Sequence, residues 1–408
     1  MTRSRKLLCW WLTNLCRLAL SATFIFSGTV KMIDPTGVQY KVEDYASAFG
    51  LGDRVGPLTA LVMALLLALL EFTLGVYLFF GIRRHRTTQF LFLFMSVMTA
   101  LTLYLAVENP ITNCGCFGDA LVLTNWQTFW KNVVLLGMSL AVMLGYRRMT
   151  RFITERNQWL VSLYSLVFAL AFAFYNLYAL PVVDFRPYRV GLDIYKGVMD
   201  ERYGTDMSMR YIDLSMQDEQ YNDITEQWLS AEGYKFLLVA PFLDKADDSN
   251  SDRINDLYEF AVAKGYPFLC LTSSMSKDVE RWRDNTGAEY PFALTDGTVL
   301  KTMIRSNPGL IVLKGGRIIR KYANTQLPDL QGENANVQSA MLSEPSEHSY
   351  LRAMLRLLLL FVVPLAFFSL ADRIWVGSKY YRRYRNRKRI NITNQLNNYS
   401  NEKKDCSR

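Results

Sequence analysis

Histidine occurs only twice in 408 residues, at His85 and His348, which leaves a histidine-based metal centre without its usual ligands. Among the six cysteines the closest pair, Cys114 and Cys116, forms a CxC rather than the CxxC of a dithiol oxidoreductase. Internal repeats and Gly- or Pro-broken apolar helices are not evident, which argues against a transporter. The first apolar run lacks a clear small-residue cleavage site, holds Arg17 and Trp10-Trp11, and outlasts a signal-peptide core, so it reads as a retained helix. What the chain has in quantity is apolar material: 50% of residues are hydrophobic and 13% aromatic. Mean hydropathy is nevertheless only +0.05, so apolar and polar residues must be segregated along the chain.

Six apolar stretches are long enough to cross roughly 30 Å of hydrocarbon: Leu7–Met32, Pro57–Ile82, Thr88–Val107, Phe129–Tyr146, Trp159–Leu180 and Leu355–Ile374. The +9 net charge does not form a nucleic-acid patch on a folded domain; the basic residues flank the apolar runs instead. Eighteen lysines and arginines lie on one side of the spans, from Arg3 through the Arg83, Arg147 and Arg373 clusters to Arg389. The short loops opposite hold only Lys31, Lys41 and Arg54. That asymmetry predicts an inner-membrane protein with both termini cytoplasmic and residues 181–350 extracytoplasmic. The predicted units are 1–150, a four-helix membrane domain; 151–182, a fifth span; 183–330, an extracytoplasmic domain; 331–350, a linker; 351–376, a sixth span; and 377–408, a basic cytoplasmic tail that is disordered after Asn391. Membrane lipid is the expected partner of the basic, aromatic run Lys379–Arg385, in preference to RNA.

Topology sorts the cysteines. Cys9 and Cys16 are seven residues apart on one helix, about 10 Å along its axis and beyond disulfide reach, so they read as buried thiols. Cys406 lies in the cytoplasmic tail, where it stays reduced. Cys114 and Cys116, in Asn113-Cys114-Gly115-Cys116-Phe117-Gly118-Asp119, follow the third span on the oxidising side. Gly115 lets two thiols one residue apart close a strained, exchangeable bridge. The alternatives are a static bridge, two unpaired thiols, or a metal site; with so few ligands in reach, no metal is predicted.

Two charges interrupt the spans. Arg17 in the first and Glu71 in the second are each expensive unless paired. Counted from the cytoplasmic ends of their runs they lie at similar depth, so they are predicted to pair, either as a clamp between helices or in proton transfer. Lys31 in Ser27-Gly28-Thr29-Val30-Lys31 is expected to snorkel toward the interface, where it lends positive charge to the Cys114 loop.

Four amino-terminal spans, the Ser-Gly-x-x-Lys ending of the first, Glu71 in the second and Cys114-Gly115-Cys116-Phe117-Gly118 after the third together resemble the DoxX-like and MauE (methylamine utilisation) membrane family over about Leu7–Tyr146. The resemblance implies a four-helix bundle supporting disulfide formation or electron transfer at the outer face. It makes Cys114 and Cys116 the redox pair, with Glu71 and Lys31 as supporting residues.

From Tyr234 short β-rich runs alternate with helical ones, the pattern of an α/β domain. Lys235–Ala240, Pro267–Leu271 and a hairpin from Leu310–Val312 through Lys314-Gly315-Gly316 to Ile318–Tyr322 read as strands. An amphipathic helix is expected near Asp218–Leu229, and the segment from Pro181 to Gly233 is expected to pack on the bundle. The order resembles a thioredoxin-like domain, with Pro308 as its cis-proline and partner-binding position. The CxxC of such domains is replaced by Pro241-Phe242-Leu243-Asp244-Lys245-Ala246, which has no cysteine. Cys270 reads as a small buried hydrophobe. The whole is read as an α-helical membrane bundle with a thioredoxin-like extracytoplasmic domain. In the leading reading it passes electrons between a thiol or disulfide client, or a thioredoxin-like protein, and a membrane acceptor such as quinone. The alternative is a non-catalytic scaffold.

Overall fold

A computed structural model describes residues 3–111, 115–203, 213–230, 232–330, 335–344 and 349–405. Its membrane part holds α1 (Arg3–Ile33), α2 (Pro35–Ala48), α3 (Pro57–Phe80), α4 (Arg84–Glu108), α5 (Asn125–Leu144) and α6 (Gln158–Tyr178). The α/β part runs α7 (Ile194–Tyr203), α8 (Thr225–Ser230), β1 (Tyr234–Val239), α9 (Ser251–Ala263), β2 (Phe268–Thr272), α10 (Ser276–Thr286), β3 (Phe292–Leu294), α11 (Gly297–Met303), β4 (Gly309–Lys314) and β5 (Arg317–Ala323). Then come α12 (Ala335–Leu342) and α13 (Ser349–Asp405). Among the described residues, six helices are long and apolar enough to span a membrane: α1, α3, α4, α5, α6 with the turn before it, and α13. The chain is a multi-pass membrane protein. Because α1 and α13 run in opposite senses through it, one face carries the α/β domain and the other is rich in arginine.

The tightest contact in the bundle is between α1 and α3, and missing side chains set it. A Cβ on Gly28 would lie 2.6 Å from the Phe72 backbone nitrogen, and one on Gly75 would lie 2.7 Å from that of Ile25. Two antiparallel helices can approach this closely only where neither presents a side chain. Beyond them α6 and α13 close the bundle through Phe72, Phe168 and Phe361, with centroids of the last two 4.8 Å apart. Asp372 of α13 accepts hydrogen bonds from the Thr154 amide and hydroxyl and from Asn157.

The α/β domain is a five-stranded sheet of order β3-β2-β1-β4-β5. β1, β2 and β3 are parallel, β4 runs antiparallel to β1, and β5 runs antiparallel to β4. β1 is buried on both faces, which explains its unbroken apolar run. Phe236 and Leu238 meet Ile254, Leu257 and Trp282 of α9 and α10, while Leu237 and Val239 meet Leu300 and Met303 of α11 and Ile194 and Val198 of α7. With the Asn307-Pro308 bond cis before β4, this is a thioredoxin-like fold. The Gly315-Gly316 hairpin forms where expected.

Four expectations change. The 181–233 segment divides: Val182, Val183 and Phe185 pack on the bundle, whereas Tyr188, Ile194, Met216 and Leu229 pack on the sheet. Its expected long amphipathic helix is only α8, because Asp218 ties residues 218–222 into a turn by accepting from the amides of Gln220 and Asn222. The expected linker contains α12, whose Met341 is fully buried in the sheet core; residues 331–334 and 345–348, with His348, lie outside the described ones. The tail after Asn391 continues α13 to Asp405. That stretch has no Pro or Gly, and extending an existing helix avoids the cost of nucleating one.

Candidate functional site

Ser27 and Lys31 are four residues apart and so share one face of α1, near the end that meets the α/β domain. The Gly28 and Gly75 contacts bring α3 against that face and place Glu71 at the same level. Lys31 Nζ then donates to Glu71 Oε2 at 2.6 Å, to Ser27 Oγ at 2.8 Å and to the Cys116 carbonyl at 2.7 Å. Lys31 and Glu71 are 3% and 4% exposed. A buried ion pair is stable only when its geometry is good and its remaining protons are satisfied. Here the three ammonium protons meet three acceptors. The Ser27 hydroxyl lies 2.7 Å from Glu71 Oε2 and 2.9 Å from the Cys116 carbonyl. It has one proton to give, so it tops up whichever acceptor needs it.

The loop so anchored is the cysteine loop. Gly115 has φ +64° and Gly118 φ +52°, conformations glycine adopts without penalty, and they turn the chain over the end of α1. Phe117 is buried between Phe26, with centroids 5.6 Å apart, and the Lys131 ammonium, 4.1 Å from its ring. Cys116 is half-buried; Cys114 lies outside the described residues. Behind Cys116 is a cavity of about 30 Å³ lined by Glu71, Ser27, Met95, Lys131 and Asn132, room for a water with polar partners.

Above the loop the α/β domain is tied down by Arg305, two residues past the end of α11. Its Nε lies 3.0 Å from both carboxylate oxygens of Asp34, and its Nη2 is 2.9 Å from Asp34 Oδ2 and 3.5 Å from Asp119 Oδ2. Asp34 caps α2 through the Gly37 amide, and Asp119 belongs to the cysteine loop. Lys301 and Arg305 also lie over the Tyr40 ring, at 4.6 and 5.4 Å. These groups and Gly115 line a cavity of about 270 Å³ between bundle and domain. Beside it, Asp184 accepts from both Arg186 and Lys321, at 2.7 and 2.8 Å. Burial, with Arg186 and Arg305 nearby, pushes the Lys321 ammonium down to about 8. Asp184 is itself buried, but Lys321 and Arg186 hold it below the usual carboxylate range.

The predicted Arg17–Glu71 pair does not form. In the register fixed by Gly28 against Phe72, Glu71 faces the level of Lys31, while Arg17 lies fourteen residues toward the other face, about 21 Å along the axis. Arg17 donates instead to the Thr150 carbonyl and lies 5.0 Å from the Phe152 ring. Depth counted from the ends of apolar runs fails because the two runs are not level: with Gly28 against Phe72 and Gly75 against Ile25, α3 ends at Phe80 opposite about Leu20, and the start of the α1 run projects past it. Lys31 does not snorkel; it turns inward. Pro308 is buried at the start of β4, next to Asn307, which donates to the Phe242 carbonyl. Cys270 is buried and burial pushes its thiol up, as expected of an inert core residue. Asp34 and Arg305 had no role in the sequence reading, and Ser27 and Asp119 entered it only as members of the Ser-Gly-x-x-Lys ending and the Asn113–Asp119 string. Only Ser27, one turn before Lys31, left a usable signal.

No curated protein matches the chain. A thiol peroxidase from Chromobacterium violaceum is among the solved structures similar to it, at 13% identity over 31% of this chain and 83% of that one, with a TM-score of 0.24. Residues 9–145, the span from α1 to the end of α5, match the model of a family described as methylamine utilisation protein MauE.

Proposed function

We propose that this protein is a thiol-disulfide redox protein of the inner membrane, working through Cys114 and Cys116, with its α/β domain outside the cytoplasm and both termini within it. The observation that carries the reading is the seating of the cysteine loop. The Cys116 carbonyl is gripped by Lys31 and Ser27 from a buried network including Glu71, so the peptide unit next to a reactive sulfur is held fixed while the sulfurs exchange partners. A client thiolate attacks one sulfur of a Cys114–Cys116 bridge and breaks it, forming a mixed disulfide. The client's second thiolate then attacks that bond and leaves as the client disulfide. Two electrons and two protons remain on the loop cysteines. A membrane quinone, as substrate, takes both and becomes the quinol, restoring the bridge. The cavity behind Cys116 is too small for a quinone ring, so the acceptor meets the loop from outside the bundle. Lys31, Ser27 and Glu71 act as positioning residues.

The test is to trap cellular thiols with an alkylating mass tag. Redox work requires that the state of Cys114 and Cys116 shift when the quinone supply is removed, and that replacing both by serine abolish the phenotype of the intact gene. An invariant state, with function kept in the double serine variant, sinks it. That outcome supports the second reading, a scaffold whose domain binds a partner protein without chemistry, which the cysteine-free Pro241–Ala246 segment favours. A membrane-impermeant label that reaches position 116 only in opened cells overturns the orientation.

A further inference from the structure

On the arginine-rich face, α3 and α4 are joined by a short turn yet diverge, since α3 packs mainly on α1 and α2 while α4 packs mainly on α5. Between them a groove of about 280 Å³ opens, lined by Leu70, Thr73, Leu74 and Tyr77 of α3 and by Thr87 and Phe90 of α4, with Arg83 and Arg86 at its mouth. From Leu70 to Tyr77 it runs about 10 Å along the axis, the depth of part of an acyl chain. Leu70 and Phe90 are 45% and 63% exposed.

The three arginines of the turn are used differently. Arg84 turns inward and donates to the Met149 carbonyl at 2.7 Å. Arg83 and Arg86 are exposed, and neither forms an ion pair among the described residues. Arg83 also holds φ +39°, a backbone state unfavourable to any residue but glycine, with its amide donating to Gln158. The turn therefore presents two uncommitted guanidinium groups directly over an apolar slot. Glu155, the nearest acid of that loop region in sequence to the packed α6, is engaged by Arg151 at 2.6 Å.

We infer that this groove is a binding site for one anionic phospholipid, its phosphate held by Arg83 and Arg86 and one acyl chain lying along Leu70, Leu74 and Phe90. A basic rim over an apolar slot between helices selects a lipid that is negative at one end and apolar at the other. A zwitterionic lipid would bring its ammonium to a site that offers only cations.

The test uses the purified full chain in detergent with an equimolar mixture of phosphatidylglycerol and phosphatidylcholine bearing identical chains, read by native mass spectrometry. Wild type is expected to retain one phosphatidylglycerol with a preference of about tenfold. The double variant Arg83→Gln/Arg86→Gln brings the two lipids to parity, whereas Arg147→Gln/Arg148→Gln, on the same face but off the groove, keeps the preference. Leu74→Trp fills the slot and loses the bound lipid. The site is overturned by no preference in wild type, by an equal loss in the Arg147/Arg148 variant, which signifies diffuse attraction only, or by full retention in a folded Leu74→Trp protein. Unfolding midpoints establish that each variant folds, and the arginine pairs decide the matter even where Leu74→Trp does not.

Discussion

Lys31 and Arg305 hold the same short loop from opposite sides, Lys31 by the backbone of Cys116 and Arg305 by the side chain of Asp119. The lower anchor lies wholly within the bundle. Its donors and acceptors belong to α1, α3 and the loop, and it is complete once those elements pack. The upper anchor joins the α/β domain to the bundle beside a cavity of about 270 Å³, and Asp119 at its rim is partly exposed. A saturated anchor built within one unit fixes one geometry; an anchor that joins two units ties the loop to whether the domain is seated. Variants that remove one anchor at a time separate these roles.

The largest effect belongs to the lower anchor. Lys31→Met leaves the Glu71 carboxylate buried without a cation and is expected to destabilise the protein by about 3–5 kcal/mol. In Lys31→Met/Glu71→Leu both charges go, and most of that loss is recovered. Thermal unfolding in detergent reads both, and a double variant as unstable as the single one means that the loop, rather than the charge, needs Lys31.

Next comes the cluster beside the upper anchor, where pH is the lever. Lys321 has a folded value of about 8 against about 10.4 in an unfolded chain. Between those values the unfolded state binds the extra proton, so stability rises as pH climbs from about 8 to 10.4 and the penalty is fully present below 8. The whole interval is worth on the order of 3 kcal/mol. Lys321→Met is expected to flatten this part of the pH profile relative to wild type; parallel profiles disprove the coupling. Smaller again is Arg305→Gln, which removes charge-assisted hydrogen bonds worth about 1.5–3 kcal/mol. It should increase hydrogen exchange in both α2 and the 115–119 loop while leaving β1 and β2 protected. Exchange confined to α11 contradicts a link between domain and loop.

How much of this could be read from sequence follows from what each feature depends on. The six spans are legible because each needs about twenty apolar residues in a row, and β1 and the Gly315-Gly316 hairpin because their patterns are local. The partner of Glu71 is not, since it depends on where Gly28 and Gly75 let two helices touch, and an absent side chain carries little signal of which absence matters. Glu71 and Lys31 were both singled out, yet apart. The Arg305–Asp34 bridge joins positions 271 residues apart on separate folding units, and no local pattern marks either one. Met341 was missed because a single buried side chain can pin a segment whose average composition is polar.

Gly115 offers the finest test of the comparison. A Cβ there meets Lys41 Cγ at 3.2 Å and must sit on a backbone at φ +64°. Lys41 is a flexible, half-exposed chain that can yield, so the backbone term dominates and Gly115→Ala is expected to cost about 1–2 kcal/mol. If the two anchors share one rigid loop, that strain spreads to both. Combining Gly115→Ala with Arg305→Gln should then cost less than the sum of the two, by about 0.5 kcal/mol or more, because a loop released above can relax its backbone. Strict additivity means that residues 115 to 119 are held by Lys31 alone, and that the α/β domain rests on the loop without setting its shape.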